Sequence, residues 1–182
     1  MGGVRGSRQQ QLDRDFTAFV SARSGRLLHL ARLLVADRHT AEDLVQDVLA
    51  RCYVRWRRVS ADDPDAYVRR ALVNAATDHY RSARRRELPS EAVPEVSAHR
   101  DHAGPLGDRH AVLASLDSLT PRERSVVVLR YYEDLTEAAT AAWLGVPVGT
   151  VKSLHHRALR KLRVDPELAD RAAAPEHEST RR

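Results

Sequence analysis

Apolar residues recur at three- and four-residue steps through most of this chain. Nowhere do they alternate convincingly at a period of two, so the fold class expected is all-α. From Leu12 to about Val35, the spacing of Phe16, Phe19, Val20, Leu27, Leu28, Leu30, Ala31, Leu33 and Leu34 predicts one or two helices, preceded by a polar, mobile terminus over Gly2–Gln11. Thr40-Ala41-Glu42-Asp43 reads as a capping-box-like start. The helix after it carries Leu44, Val45, Val48, Leu49, Cys52 and Trp56 on one face. Val59–Asp62 reads as a loop. Asp63-Pro64 then opens a long helix to about Arg86, with Asp63 as cap and proline at the first helical position.

The pattern stops at Glu87–Gly107, where three Pro, two Gly and little periodicity predict a linker. It resumes where Asp108 can cap a helix over Val112, Leu113, Leu116 and Leu119. Thr120-Pro121-Arg122-Glu123 is a capping box with proline at the first position, followed by Val126, Val127, Val128, Leu129 and Tyr132. A short helix after Thr136 carries Ala138, Ala141, Ala142 and Leu144, and Gly145 supplies a turn where a left-handed backbone is cheap. A last helix runs from about Val148, with Val151, Ala158, Leu159 and Leu162 facing inward and Arg157, Arg160, Lys161 and Arg163 towards its end. This is the plan of a helix-turn-helix, a unit that places its last helix in the DNA major groove. After Val164 the chain is a polar tail.

Charge follows the same division. Residues 10–86 hold 15 Arg against 10 acids, and residues 109–163 hold 9 Lys and Arg against 5 acids. The segment 87–108 between them holds 1 Arg and 5 acids. Two basic modules joined by an acidic strap point to two polyanion-binding surfaces. On the helix opened by Pro64, Val68, Leu72, Ala75, Ala76 and Ala83 form an apolar stripe. Arg70, Asn74, Thr77, Arg81 and Arg84 form a second, polar line: guanidinium groups suited to phosphates and an asparagine suited to base edges. On the helix before it, Asp43, Gln46, Asp47 and Ala50 lie opposite the core.

These motifs carry a family resemblance. Leu119-Thr-Pro-Arg-Glu-Arg124, Val128-Leu-Arg-Tyr-Tyr-Glu-Asp-Leu-Thr136 and Val148-Gly-Thr-Val-Lys-Ser153 strongly resemble the promoter −35-reading region of bacterial sigma factors. Upstream, Ala41–Trp56 resembles the polymerase-binding helix of that family and Asp63–Arg86 its −10-reading helix. The order and economy of the motifs match the small extracytoplasmic-function sigma factors, over roughly residues 12–163. The resemblance implies a region-two-like domain over 12–86, the linker 87–108, a region-four-like helix-turn-helix domain over 109–163 and a tail over 164–182. It implies two partners, core RNA polymerase and promoter DNA, and leaves room for an anti-sigma factor. Asp43, Gln46, Asp47 and Ala50 would dock on a coiled coil of the polymerase. Arg70, Asn74, Thr77, Arg81 and Arg84 would take the single-stranded −10 element, with Asn74 at a base. The loop Val59–Asp62 would pocket a flipped-out base with help from Tyr67. Thr150, Lys152, Ser153, His156 and Arg157 would face the −35 duplex, with Thr150 offering a hydroxyl or an amide to a phosphate.

The chain departs from the family at Leu154, where arginine is common, at His155, where an apolar, part-buried residue is usual, at Thr140, where Ile or Leu is frequent, and at Pro147, which replaces a common serine cap. A lost phosphate contact at 154 and a polar residue at a part-buried site predict a weaker or differently specific −35 contact. The linker's 22 residues span at most roughly 70 Å, which bridges promoter elements nearly two turns apart at about 3.4 Å per base pair.

His99, Asp101, His102 and His110 offer some metal-ligand chemistry, but structural zinc usually takes four well-spaced ligands and no cysteine joins them; no metal and no cofactor is expected. No phosphate loop, HExxH or nucleophile elbow is present, so no enzyme is expected. Polar residues 1–11 and the lack of a membrane-length apolar run predict a soluble cytoplasmic protein, associated with the nucleoid through polymerase. Two other readings share these residues: a stand-alone helix-turn-helix repressor, which leaves the upstream motif unexplained, and a sigma-like regulatory module that binds protein only.

Overall fold

The computed structural model describes residues 3–86 and 115–163, the side chains of residues 3–6, 84–86 and 163 excepted. The linker over 87–108, the tail from 164, the start of the helix over 108–119 and the His99, Asp101, His102 and His110 group lie outside the described residues. Every regular element among those described is helical. The chain forms two compact units whose main division falls between His99 and Arg100. No described helix is long and apolar enough to cross a membrane.

In the first unit, α1 (Gly3–Leu34) is one unbroken helix that begins well before Leu12. The polar terminus is helical because its residues satisfy one another along the helix. Gln9 donates to Asp13 and Gln11 to Asp15, both at 2.8 Å and both one turn apart. The helix buries its C-terminal half, where Leu27, Leu30, Ala31 and Leu34 recur at helical spacing and are at most 1% exposed. Its middle is held by aromatic rings: Phe16 lies 5.1 Å from both Tyr53 and Trp56, and Phe19 lies 5.0 Å from Trp56. The Tyr53 hydroxyl donates to Asp13 at 2.7 Å.

Asp37, not Thr40, caps α2 (Arg38–Val54). Its carboxylate accepts the Thr40 amide at 2.6 Å, and hydrogen bonds from the Thr40 backbone and hydroxyl hold its pKa below the usual carboxylate range. Thr40 therefore sits inside the first turn. Ala41, Val45, Val48 and Cys52 are buried. The backbone breaks at Arg55 (φ −108°, ψ 8°), which puts Trp56 and Val59 on a separate short helix, α3 (Trp56–Val59), both buried. Val59 thus belongs to the core rather than to the loop expected from it onward. Asp63 accepts the Ala66 amide at 2.9 Å and starts α4 (Pro64–Arg86). Val68, Leu72, Val73 and Ala76 of α4 close the core against α1 and α2.

In the second unit, residues 115–117 are helical and lead to the capping box at Thr120. There Thr120 and Glu123 each satisfy the other's backbone amide. The helix α5 (Pro121–Val127) widens into a π-helical turn over Val128–Tyr132, with Glu133 N–H reaching Val128 O at 3.1 Å. Asp134 is left-handed (φ 50°). Thr136 caps α6 (Glu137–Leu144) through the Ala139 amide at 3.1 Å. Gly145 turns the chain at φ 63°, and α7 (Val148–Arg163) follows. The buried face of α6 is Thr140 and Ala141, while Ala138 and Ala142 are exposed.

Candidate nucleic-acid interface

α4 keeps apart the two faces its sequence implies. Arg70, Asn74 and Arg81 are exposed along one line of the helix, opposite the buried Val68, Leu72 and Ala76. Thr77 on that line is half-buried and its hydroxyl donates to Val73 O at 2.9 Å, which leaves lone pairs rather than a donor. Arg81 pairs with Asp78 at 3.2 Å. The Arg84 side chain lies outside the described residues. Tyr67 and Asn74 border a groove of about 390 Å³ whose opposite wall is α2, with Arg51, Cys52 and Arg55. The concavity between Tyr67 and α2 offers an aromatic ring, an amide and two guanidinium groups, with the Asp78 carboxylate also in its lining; the first three are parts that suit an unstacked nucleotide. Apolar patterning does not single out Arg51 and Arg55, although they stand at a four-residue step beside Val48 and Cys52. Burial raises the Cys52 thiol pKa above its ordinary value.

On α2, Asp43, Gln46, Asp47 and Ala50 are all exposed and lie opposite the buried Ala41, Val45, Val48 and Cys52. The four expected residues thus share one surface. Beside it, Glu42 pairs with Arg38 at 2.8 Å and with Arg32 at 3.7 Å, and the Arg38 hydrogen bond lowers its pKa.

On α7, Lys152, Ser153, His156 and Arg157 are exposed and Thr150 is half-buried. The Thr150 amide donates to Pro147 O at 2.9 Å, so within the fold the phosphate donor available at this residue is its hydroxyl. Lys152 lies 3.8 Å from Glu137, and Ser153 donates to Thr150 O at 3.0 Å. Arg160, absent from the expected contacts, continues the exposed line through Ser153 and His156 at steps of three and four. Leu154 is 6% exposed and packs in the core with Val151 and Ala158. It is a core residue, not a surface position stripped of its charge. His155 is half-buried, as expected, and its Nε2 shares a hydrogen bond of 3.0 Å with the Tyr131 hydroxyl. Burial, then the nearby Arg130 charge, lowers its pKa.

Behind α7 sits a charged core that apolar patterning does not announce. Glu123 is 3% exposed and lies against both Lys161, at 2.7 Å, and Arg157, at 3.7 Å. Arg124, 5% exposed, donates twice to Leu116 O and pairs with Asp117 at 2.9 Å. Thr140 is fully buried, and its hydroxyl has no hydrogen-bond partner among the described residues.

Residues 19–86 match the family model described as Sigma-70 region 2, and residues 115–164 that described as Sigma-70, region 4. The RNA polymerase sigma-E factor of Streptomyces avermitilis is 41% identical over 157 residues, covering 86% of this chain and 87% of its own. The ECF RNA polymerase sigma factor SigL of Mycobacterium tuberculosis is 33% identical over 147 residues, covering 76% and 81%. The sigma factor RpoE of Bartonella quintana, solved in complex with the anti-sigma factor NepR, superposes with a TM-score of 0.63 over 86% of this chain and 98% of its own, at 24% identity.

Proposed function

The chain belongs to the sigma-70 family as a small extracytoplasmic-function sigma factor, and on that premise we propose how its surfaces divide the work of promoter recognition. The protein directs RNA polymerase to promoters and is not an enzyme. We read residues 12–86 as the domain that binds polymerase and the −10 element, 109–163 as the −35 domain and 87–108 as the strap between them. The polar tail over 164–182 follows.

Asp43, Gln46, Asp47 and Ala50 bind core polymerase. Tyr67, Arg70, Asn74, Thr77, Arg81 and Arg84 hold the melted −10 strand. The loop over Ser60–Asp62 pockets a flipped-out base with help from Tyr67, and the groove towards α2 adds Arg51 and Arg55 for phosphates. Capture of that base offsets part of the unpairing cost, so melting draws on binding energy rather than on ATP. Thr150, Lys152, Ser153, His156 and Arg157 read the −35 duplex. An anti-sigma factor that masks these surfaces belongs to the same reading, since the fold is the one RpoE presents to NepR. Through polymerase the protein works in the cytoplasm, on the nucleoid.

One observation carries this reading: each matched segment contains a helix, α4 or α7, with an apolar face in a core and an opposite basic, polar face exposed. The polymerase face is tested by gel filtration of the chain with bacterial core polymerase beside Asp47→Arg. The wild type co-elutes and the variant, equally folded by circular dichroism, does not. Co-elution of both removes Asp47 from the contact surface.

A further inference from the structure

The Glu123 carboxylate does more than cap its own helix. One oxygen, Oε2, accepts the Thr120 amide at 2.9 Å and the Lys161 ammonium at 2.7 Å. The other, Oε1, lies 3.7 Å from Nε of Arg157. A buried charge at the first turn of α5 therefore holds two cations on the C-terminal half of α7. Burial works against the Glu123 carboxylate, but hydrogen bonds from Lys161 and from the Thr120 amide outweigh it and keep its pKa below the usual range. The residue is ionised at neutral pH.

The two cations are placed differently. Lys161 meets the carboxylate at hydrogen-bond distance, so its ammonium is engaged there. Arg157 meets it through Nε at a longer distance, while 55% of its side chain remains exposed. A guanidinium steered through Nε keeps its two Nη groups for the forked contact that reads guanine. We propose that Glu123 is a positioning residue for DNA recognition: it orients Arg157 for base readout and withholds Lys161 from indiscriminate phosphate binding. This rests on the reading of Arg157 as a −35 contact. Its consequence is specific. Loss of the Glu123 charge lowers discrimination between sequences without lowering affinity for DNA in general, because a released Lys161 adds a cation to the phosphate-facing surface.

The test uses holoenzyme reconstituted from core polymerase and the full chain. The probes are a duplex bearing the −35 sequence that the wild-type holoenzyme selects from a randomised pool, and a scrambled duplex of equal composition. Glu123→Gln keeps the shape and an acceptor for the Thr120 amide while removing the charge. It is expected to lower the selected-to-scrambled affinity ratio by about five- to tenfold, the lower part of what one forked base contact contributes. Affinity for the scrambled duplex is expected to hold or rise. With Arg157→Ala already present, Glu123→Gln is expected to change the ratio no further. A merely structural role predicts loss on both duplexes and the same loss in both backgrounds, and that result overturns the proposal. So does an unchanged ratio in Glu123→Gln. If Arg157→Ala alone leaves the ratio unchanged, the −35 reading of Arg157 fails and the positioning role fails with it. Should Glu123→Gln not fold, Glu123→Asp, whose charge stops one methylene short of Arg157, takes its place with the same opposed outcomes.

Discussion

The two units solve the problem of a small core in different ways. Among the described residues, the fully buried positions of the first unit, from Leu27 to Ala76, are all apolar or the thiol Cys52, whereas the second unit buries Ser115, Glu123, Arg124, Ser125, Glu133 and Thr140 beside its leucines and valines. The first unit stacks α1, α2 and α4 along their lengths, so apolar burial sets the angles between helices and polar contacts such as Tyr53–Asp13 and Arg32–Glu42 stay at the rim. The second is built from α5, α6 and α7 of 7, 8 and 16 residues. Short helices expose proportionally more unsatisfied termini. There, charged side chains bind backbone carbonyls and helix starts, as Arg124 does at Leu116 and Glu123 at Thr120. An apolar interface tolerates sliding better than a directional hydrogen bond does. The polar interior thus suits the unit that must hold a recognition helix in register.

The contrast is sharpest under substitution. Leu72→Ala, at a site 1% exposed, removes packed volume from the first unit and is expected to cost about 3–4 kcal/mol, read as lost hydrogen-exchange protection of α1, α2 and α4 amides. Arg124→Met keeps much of the volume in the second unit but strips Leu116 O of its donors. It is expected to cost about 2–3 kcal/mol, read from Val126–Leu129 amides. A neutral or stabilising Arg124→Met breaks the comparison, since the second interior would then need no charge at this position. Thr140→Val, which deletes a buried hydroxyl without a partner, is expected to stabilise the second unit by about 1 kcal/mol; destabilisation in urea melts would mean that the hydroxyl is satisfied in solution.

The smallest effect concerns pH. His155 is held below its ordinary pKa of 6.5 mainly by burial, so the folded unit takes up the proton less readily than the unfolded chain. Its contribution to stability is therefore present above pH 6.5 and is lost as pH falls below that value through the lower folded pKa. His155→Gln, with an amide able to meet Tyr131, is expected to flatten the stability profile of the second unit in that window. An unchanged slope assigns the dependence to other groups.

The division of labour between apolar and polar interiors also set what was legible in the chain. The all-α class, the core faces of α2 and α4 and the Thr120 capping box followed from spacing alone, because apolar burial leaves a periodic trace. The surfaces opposite those faces followed by subtraction: Asp43, Gln46, Asp47 and Ala50 on α2, and Arg70, Asn74 and Arg81 on α4. Polar residues in structural roles leave no such trace. Glu123 is legible as a cap, yet nothing in its spacing shows that it reaches Arg157 and, 38 residues further on, Lys161. Asp37 is masked in the sequence because Thr40-Ala-Glu-Asp43 imitates the start that Asp37 makes. Arg51 and Arg55 were hidden on the flank of an apolar stripe, where only the approach of α4 turns them into the wall of a groove. The family pattern points Leu154 to the surface, but its own helix, with Val151 and Ala158 buried three residues before and four after it, claims it for the core.

If α4 and α7 read two promoter elements separately, transcription from a matched promoter set separates their effects. Asn74→Ala and Arg157→Ala are each assayed on the wild-type promoter and on promoters substituted in the −10 or the −35 element. Crossed insensitivity is expected. Asn74→Ala ceases to distinguish −10 substitutions while still responding to −35 ones, and Arg157→Ala does the reverse, each losing about tenfold of discrimination at its own element. If both variants lose sensitivity to the same element, or neither loses any, the assignment of the two helices to two elements is contradicted.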